Sequence, residues 1–253
     1  MSIRLTDEFN KYLESKGIEL DISPVKDKEL VDRITLEEAA EKLEILAELH
    51  KRLMGYEGHI GNHLTSSIGE LMENNKANLR RLKRDVSYLK DLKPANVFEE
   101  TLKRYAQKII TRGERALALA SSSDYTKKVY RSMNNNEICL GNADIDSFYR
   151  RDGVIYIKSL NKCTYNLIEC DVIDFINRLK KQREQLPYDE LIKKYIEASS
   201  LEGSSYDFIR GMVNYPYECV KVCTRYRRMK KPWTPEKYAY SLNTAMVKDG
   251  EEI

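Results

Sequence analysis

Two short polar loops, each directly after a strand-like apolar segment, carry the side chains with the clearest chemical potential. Leu140-Gly141-Asn142 follows the segment Glu137–Cys139, and Ser159-Leu160-Asn161 follows Val154–Ile157. Phosphoryl-transfer sites use such loops to place an orienting carboxylate at the attacking hydroxyl and to hold Mg²⁺ on Asp and Asn oxygens. The residue types in these two loops decide whether they could supply such groups.

The frame of the two loops resembles the active site of kinases of the aminoglycoside and choline phosphotransferase type. In that family a buried strand leads into His-Gly-Asp, an Asn lies five residues past the Asp, and a second strand leads into Asp-Phe-Asp. Here Asn142 stands at the catalytic-base position, while Ser147 and Ser159 stand at metal-ligand positions. The resemblance implies a protein-kinase-like fold whose catalytic positions hold other residues.

The flanking sequence resembles one branch of this superfamily, the spore coat protein S family of spore-forming Firmicutes. The stretch YIKSLNKCTYNLIECDVIDFINRLKK resembles that family around its second motif, and ITLEEAAEKLEILAELHKRLMGY resembles the first helix of its C-lobe. His50 corresponds to a histidine of that helix. We expect it to be a packed core histidine.

The substitutions argue against catalysis. Asn142 is neutral and cannot accept a proton near pH 7, and Ser147 and Ser159 offer only neutral hydroxyls. Because the base position and both main metal-ligand positions have changed together, we expect a pseudokinase with no catalytic residues, no cofactor and no metal.

Two acids inside the first loop leave an alternative open. A displaced carboxylate from Asp144 or Asp146 would substitute for the lost base, and with Asn161 these residues would line a residual cleft. The simpler interpretation is that both acids are solvated loop residues. A metal site at His59 and His63 is a weaker alternative, because no cysteine or further acid at metal-site spacing accompanies them.

Other residues of the frame fit a structural role. Gly141 suits a tight turn between strand and loop, and Asp152-Gly153 suits a hairpin turn joining the two strands. Asp171 matches the acid that, in the resembling family, opens the next helix and braces the catalytic loop. We therefore expect a small β-hairpin from Glu137 to Lys158, held by Gly141 and Asp171.

The remaining sequence predicts a mainly α-helical chain. Thr35 and Glu38 form a capping-box pattern at the start of a helix with apolar residues at helical spacing. An amphipathic helix is expected over 6–16. Further helices are expected over 66–92, 96–120, 171–185, 187–199, 204–214 and 216–228, with a frayed tail over 248–253.

Residues 1–34 contain no strand pattern, no Gly-rich loop and no lysine on a convincing strand, since Lys26 and Lys28 lie in a polar stretch. We therefore expect two parts. Residues 1–34 form a helical or irregular segment that replaces the ATP-covering N-lobe, and residues 35–253 form a kinase-like C-lobe.

Composition excludes several other classes of protein. No apolar run approaches the ~18 residues of a membrane span, and the polar N-terminus shows no secretory signal. The five cysteines are an odd number without zinc spacing, which favours buried thiols in a reducing compartment, with late intermolecular disulfides as the alternative.

Two basic segments, one over residues 80–84 and one over 225–231, suggest phosphate contacts. Because neighbouring acids balance the first and the whole chain carries a net charge of only +3, we expect solvated faces and no nucleic-acid partner.

The resemblance then implies an inactive spore coat protein with a structural or scaffold role. It would lie in the mother-cell cytoplasm during sporulation and later in the coat, bound to other coat or coat-morphogenetic proteins. The alternative is a residual small-molecule or nucleotide-binding protein. The oligomeric state stays open.

Overall fold

A computed structural model describes residues 7–21, 34–58, 64–182 and 185–253. These residues are mainly helical, as predicted. The described elements, in chain order, are α1 (Asp7–Ser15), β1 (Ile18–Leu20), α2 (Leu36–Leu53), α3 (Glu70–Leu89), α4 (Val97–Ser122), α5 (Tyr125–Asn135), β2 (Ile138–Cys139), β3 (Phe148–Arg151), β4 (Val154–Ile157), β5 (Thr164–Tyr165), α6 (Glu169–Lys181), α7 (Tyr188–Ser199), α8 (Ser204–Asn214), α9 (Tyr217–Arg227) and α10 (Pro235–Lys248).

The predicted hairpin turn at Asp152-Gly153 is present, with φ of 52° and 78° at its two residues. Two consecutive positive φ values are typical of the two-residue turns that match strand twist. The turn joins β3 to β4, with Phe148 opposite Ile157.

The prediction of one hairpin from Glu137 to Lys158 was wrong, because a two-residue turn can pair only the strands that flank it directly. The earlier strand, β2, instead pairs antiparallel with β5, with Cys139 opposite Thr164. Two small sheets therefore hold the ends of the two loops.

The N-terminal segment contains a strand that the sequence did not predict. β1 pairs parallel with β4, with Ile18 opposite Ile155, and completes a three-stranded sheet in the order β1-β4-β3. Three residues are too few to show an alternating pattern, and the strand exists because β4 offers an open edge. Phe9 and Leu13 of α1 are buried in the same hydrophobic core as the C-terminal helices. Lys26 and Lys28 lie outside the described residues.

The capping box at the start of α2 is confirmed. The Glu38 main-chain N–H donates to Thr35 Oγ1 at 3.2 Å, and the Thr35 N–H donates to the Glu38 carboxylate at 2.8 Å. α2 then packs along α7, and this places His50 in the interior.

Helices α3 and α4 form a long antiparallel pair. The side chain of Asn96 caps α4, accepting from the N–H groups of Phe98 and Glu99 at 3.0 and 3.1 Å. Helix α3 is shorter than the predicted 66–92, because the chain around Ser66 pairs with Tyr165 instead. Helices α5 and α10 were not predicted.

The tail predicted to be frayed is anchored. Arg112, buried on α4, donates to the main-chain oxygens of Asp249 and Gly250, and the Ile253 N–H donates to Asn214 Oδ1 at 2.8 Å. The Asp249 carboxylate accepts from the first N–H groups of α9. The tail is ordered because a buried guanidinium and a helix N-terminus both need its oxygens. None of the described helices combines the length and the apolar character needed to cross a membrane.

Candidate functional site

Asp171, in the first turn of α6, holds the start of the first loop. Its two carboxylate oxygens accept from the main-chain N–H groups of Leu140 and Gly141 at 2.6 and 2.9 Å. Gly141 has a φ of +66°, and a Cβ at this position would overlap the main-chain oxygen of Lys162. Only glycine therefore fits this turn without strain.

The Asp171 carboxylate also belongs to a hydrogen-bonded chain with two buried side chains. His50 Nε2 lies 3.0 Å from Asp171 Oδ2, and His50 Nδ1 lies 2.8 Å from the Tyr195 hydroxyl. All three residues are buried, and burial raises the pKa of Tyr195 well above its usual range. His50 is thus a packed core histidine, as predicted, within a hydrogen-bonded chain that fixes the loop.

A cation that the sequence did not single out lies directly on the first loop. From α6, Arg178 donates to Asn142 Oδ1 at 2.8 Å and to the Asp144 carboxylate at 3.1 Å, and its Nε donates to Asp174 at 3.1 Å. Asp144, expected to be a solvated loop acid, is half-exposed and is also ion-paired across the loop. The i,i+4 spacing of Asp174 and Arg178 is the only trace of this arrangement in the sequence.

Ser147 stabilises the first loop through two hydrogen bonds to the loop's own main chain. Its hydroxyl donates to the Asn142 main-chain oxygen at 2.8 Å and accepts from the Asp144 N–H at 3.0 Å. A hydroxyl that bonds the backbone of its own loop in both directions is engaged structurally. Lys162 adds a second positive charge, with its Nζ 3.4 Å from Asn142 Oδ1.

The second loop and Asp146 lie at the surface. Ser159 and Asn161 are both exposed, and the Ser159 hydroxyl accepts from the Asn161 N–H at 3.2 Å. Asp146 is also exposed.

A cleft of about 440 Å³ opens beside the first loop, between α3, α6 and α9. Its lining includes Gly141, Asp174, Arg178, Lys181 and Tyr217. The residues expected to form a residual cleft, Asp144, Asp146 and Asn161, are not among the described residues that line it. The cleft is therefore formed mainly by helix side chains rather than by the two loops.

The charges in this cleft are largely paired. Burial raises the pKa of Asp174, and the neighbouring Arg178 opposes this shift. Lys181 Nζ lies 3.0 Å from the carboxylate of Glu218. The pKa of Glu218 is shifted by opposing effects, with burial raising it and the hydrogen bond and charge of Lys181 lowering it, and the net pKa is lowered.

The residues present do not supply the carboxylate ligands for the magnesium ion that the kinase-like frame implies. The base and ligand positions hold neutral side chains, and the guanidinium of Arg178 sits on Asn142. The carboxylates of Asp144 and Asp174 are both paired with Arg178, so neither is set up to hold a divalent metal ion.

One group of potential metal ligands occurs among the described residues, formed by His50, Cys139 and Asp171 with ligand atoms within 4.8 Å of one another. The Cys139 thiol already lies 3.0 Å from the Leu167 main-chain oxygen, and burial raises its pKa well above the usual range. A metal needs the thiolate, so this group suits a hydrogen-bonded core. His59 and His63 lie outside the described residues.

A buried network of charged side chains lies next to β2. The sequence did not predict it. Arg131 on α5 bonds both oxygens of Glu137 and of Glu169, at distances between 2.7 and 3.1 Å. Ser205 adds a donor to Glu169 at 2.6 Å. Both glutamates are fully buried. Burial lowers the pKa of Arg131, the hydrogen bonds and charges of the two glutamates raise it, and the net pKa is raised. The spacing of Arg131, Glu137 and Glu169 in the sequence does not indicate that they form this network.

All five cysteines are free. Burial raises the pKa of each thiol, including that of Cys223 to about 12. Thiolate formation is therefore disfavoured, and the folded chain is poorly disposed to disulfide exchange.

The chain is similar to known proteins in sequence and in fold. No family model matches the sequence. Over 164 residues the chain is 23% identical to spore coat protein S of Bacillus subtilis, in a match that covers 63% of this chain and 47% of that protein. The chain thus spans about half the length of the curated relative that it matches.

Solved structures show the fold. An aminoglycoside phosphotransferase from Alicyclobacillus acidocaldarius superposes with a TM-score of 0.63 at 11% identity, over 85% of this chain and 64% of that one. A spectinomycin phosphotransferase superposes with a TM-score of 0.54 at 11% identity, over 96% of this chain and 82% of that one. The chain therefore has a kinase-like fold of the aminoglycoside phosphotransferase type, and its similarity to spore coat protein S confirms the resemblance predicted from its motifs.

Proposed function

We propose that this protein is a catalytically inactive, kinase-like protein with a scaffold role in the spore coat. The observation that carries the inactivity is the guanidinium of Arg178 bonded to Asn142 and Asp144. The guanidinium occupies the amide oxygen of the side chain at the position where the resembling kinases hold their catalytic carboxylate, and it also engages the neighbouring carboxylate of Asp144.

Three further features support the loss of activity. Ser147 bonds its own loop, Ser159 is exposed with a neutral hydroxyl, and the one loop acid near the base position, Asp144, is neutralised by Arg178. Phosphoryl transfer depends on positioned carboxylates and on bound Mg²⁺. Without them, the loop's remaining role is to organise the helices around it.

The coat location rests on the similarity to spore coat protein S. A buried Asp171–His50–Tyr195 chain and the Arg131 network join several core elements, which suits a protein whose polar interior groups serve its structure and whose function lies on its surface. The protein would be made in the mother-cell cytoplasm and then assemble with other coat or coat-morphogenetic proteins.

Imaging of a fluorescent fusion in sporulating cells tests the coat role. We expect the fusion to gather around the forespore, and a pull-down from the same cells to recover coat proteins. A fusion that stays diffuse throughout sporulation would rule out the scaffold role.

The cleft of about 440 Å³ beside α6 favours a second candidate, a small-molecule-binding protein. Its lining mixes carboxylate, guanidinium and ammonium groups at Asp174, Arg178 and Lys181, which suits a polar, zwitterionic ligand. A thermal-shift screen of charged metabolites tests this candidate, because a ligand that binds only the folded state raises its apparent stability. If no compound shifts the unfolding midpoint at millimolar concentration, the scaffold role stands alone.

A further inference from the structure

Two basic segments that are far apart in the sequence meet on one surface. Four basic side chains lie on α3 over residues 80–84, and five lie over residues 225–231 at the end of α9. α3 packs against α9, and Arg227 Nη1 donates to the Asp85 carboxylate at 2.9 Å. We call this the α3–α9 basic surface. The sequence predicted two separate solvated faces, and the structure joins them.

Most of the charge on this surface is not neutralised. Lys83 pairs with Glu114, and Arg227 pairs with Asp85. Within the described ranges, Arg80, Arg84 and Arg228 have no acidic partner within ion-pair distance. The two segments hold nine basic residues and no acid, while the whole chain carries a net charge of +3. Asp85 and Glu99 lie on the same surface, so its net charge is positive but smaller than the nine basic residues alone would give.

A groove of about 520 Å³ runs through this surface between α3, α4 and α9. Leu89, Leu102 and the rings of Tyr88 and Tyr226 give it an apolar lining, and Arg84 is one of the arginines beside them. Tyr88 is 75% exposed, so its ring is accessible to a partner that enters the groove. The groove has room for one or two apolar side chains.

We propose that the α3–α9 basic surface binds an acidic segment of a protein partner, with an apolar side chain of that segment seated in the groove. Arginine forks match carboxylates with two parallel hydrogen bonds, so Arg81 and Arg84 suit glutamates or aspartates that flank the seated side chain. The proposal names the chemistry of the partner that the scaffold role requires, and it rests on that role only in taking the partner to be a protein.

The groove disfavours a nucleic acid. Leu89 and Leu102 are part of its lining, and a phosphodiester backbone carries no apolar group to seat against them. A peptide can supply both an apolar side chain and flanking carboxylates for the arginines. An apolar lining with a rim of arginines fits an acidic peptide with one hydrophobic anchor.

Fluorescence anisotropy with the whole chain tests the proposal. The probe is a short labelled peptide in which glutamates flank a single phenylalanine. Two comparison peptides carry glutamine in place of glutamate, or serine in place of phenylalanine. The variant Arg81→Glu/Arg84→Glu reverses the charge of the groove rim. Lys193→Glu/Lys194→Glu is the matched control, with the same charge change at exposed positions of α7. Circular dichroism and urea unfolding check that both variants fold.

We expect the wild type to bind the glutamate–phenylalanine peptide, and the groove variant to bind it about tenfold more weakly or worse. The control variant keeps the wild-type affinity, and each comparison peptide binds more weakly. Equal binding by the groove variant, equal binding of the glutamine peptide, or tighter binding of a single-stranded or duplex oligonucleotide at this surface overturns the proposal. Loss of forespore localisation with peptide binding intact would sink the scaffold role alone.

Discussion

Arg178 Nη2 donates to Asn142 Oδ1 at 2.8 Å, across the loop in which the resembling kinases carry their catalytic base. The contact joins α6 to the loop after β2, and Lys162 approaches the same amide oxygen at 3.4 Å. Two cations therefore converge on one neutral side chain. Arg178 also pairs with Asp144 and Asp174, so the carboxylates beside this loop are engaged by a cation rather than placed to act as a base or to bind a metal ion.

Restoring the carboxylate alone should not restore activity. Asn142→Asp supplies an acceptor that pairs with Arg178, so we expect its stability to stay within about 1 kcal/mol of the wild type, as for other half-exposed pairs. ADP formation with MgATP and a panel of hydroxyl acceptors should stay at background, because Ser147 and Ser159 still offer no carboxylate or amide to a metal ion. Turnover above background by this single variant would contradict the proposed loss of metal ligands.

Two glycines separate backbone strain from steric overlap. Gly141 and Gly153 both have positive φ, but a Cβ at Gly141 overlaps the Lys162 main-chain oxygen whereas one at Gly153 meets nothing within 4 Å. We expect Gly153→Ala to destabilise the fold by about 1 kcal/mol and Gly141→Ala by about 3 kcal/mol or more. Urea unfolding of both variants measures the difference. Equal effects would mean that the loop relaxes away from Lys162.

Asp171, the acid of the buried hydrogen-bonded chain, should contribute far more to stability than its half-exposed neighbour Asp174. Asp171→Ala removes the acceptor for two main-chain N–H groups and for His50, which leaves buried donors unpaired. We expect a loss of about 3–5 kcal/mol in the free energy of unfolding. Asp174→Ala, on the same helix with one half-exposed ion pair, is the control, with an expected loss within about 1 kcal/mol. Similar losses in both variants would refute the bracing role of Asp171.

Several features of the fold and of the first loop were predictable from the sequence. The capping box at Thr35, the turn at Asp152-Gly153 and the kinase-like frame were predictable, because each depends on residues close together in the chain. A core role for His50 was also predictable, because its helix shows an apolar pattern. The partner Tyr195 is 145 positions away and no local pattern indicates it.

The features that were not predictable depend on tertiary contacts between residues far apart in the chain. Arg178 reaches the loop from 36 positions away, and Arg131 joins two glutamates that are distant from one another. β1 is a strand only because β4 lies beside it. The tail is ordered because Arg112 and the start of α9 need its oxygens. Each of these features is fixed by which elements become neighbours.

Burial of Lys180 predicts a specific pH dependence. Burial, and secondarily the charge of Arg112, lower the pKa of Lys180 to about 8, with Asp249 and Glu252 opposing the shift. The unfolded chain has a lysine pKa of about 10.4. Between these values the unfolded state binds more protons, so this group makes stability rise as the pH increases through the window.

Lys180→Met should remove that rise in stability with pH. It should also increase the free energy of unfolding by about 1–2 kcal/mol near pH 7, because a single hydrogen bond of 3.2 Å, from Lys180 Nζ to the Val213 oxygen, does not offset the cost of burying the charge. Urea midpoints of the wild type and the variant, at about pH 7 and about pH 10, give the difference. Lys194→Met, at an exposed position, is the control. A variant no more stable than the wild type near pH 7 would contradict the burial of a charged lysine.

Titration calorimetry of the wild-type chain with MgATP tests the central claim most directly, because it asks whether the degenerate loops still hold a metal–nucleotide complex. We expect no saturable heat at millimolar nucleotide, and no change when Mg²⁺ is omitted. Saturable, magnesium-dependent binding that weakens in Asn142→Ala would show that the loop still serves a nucleotide, and would contradict the account of this protein as an inactive kinase-like scaffold.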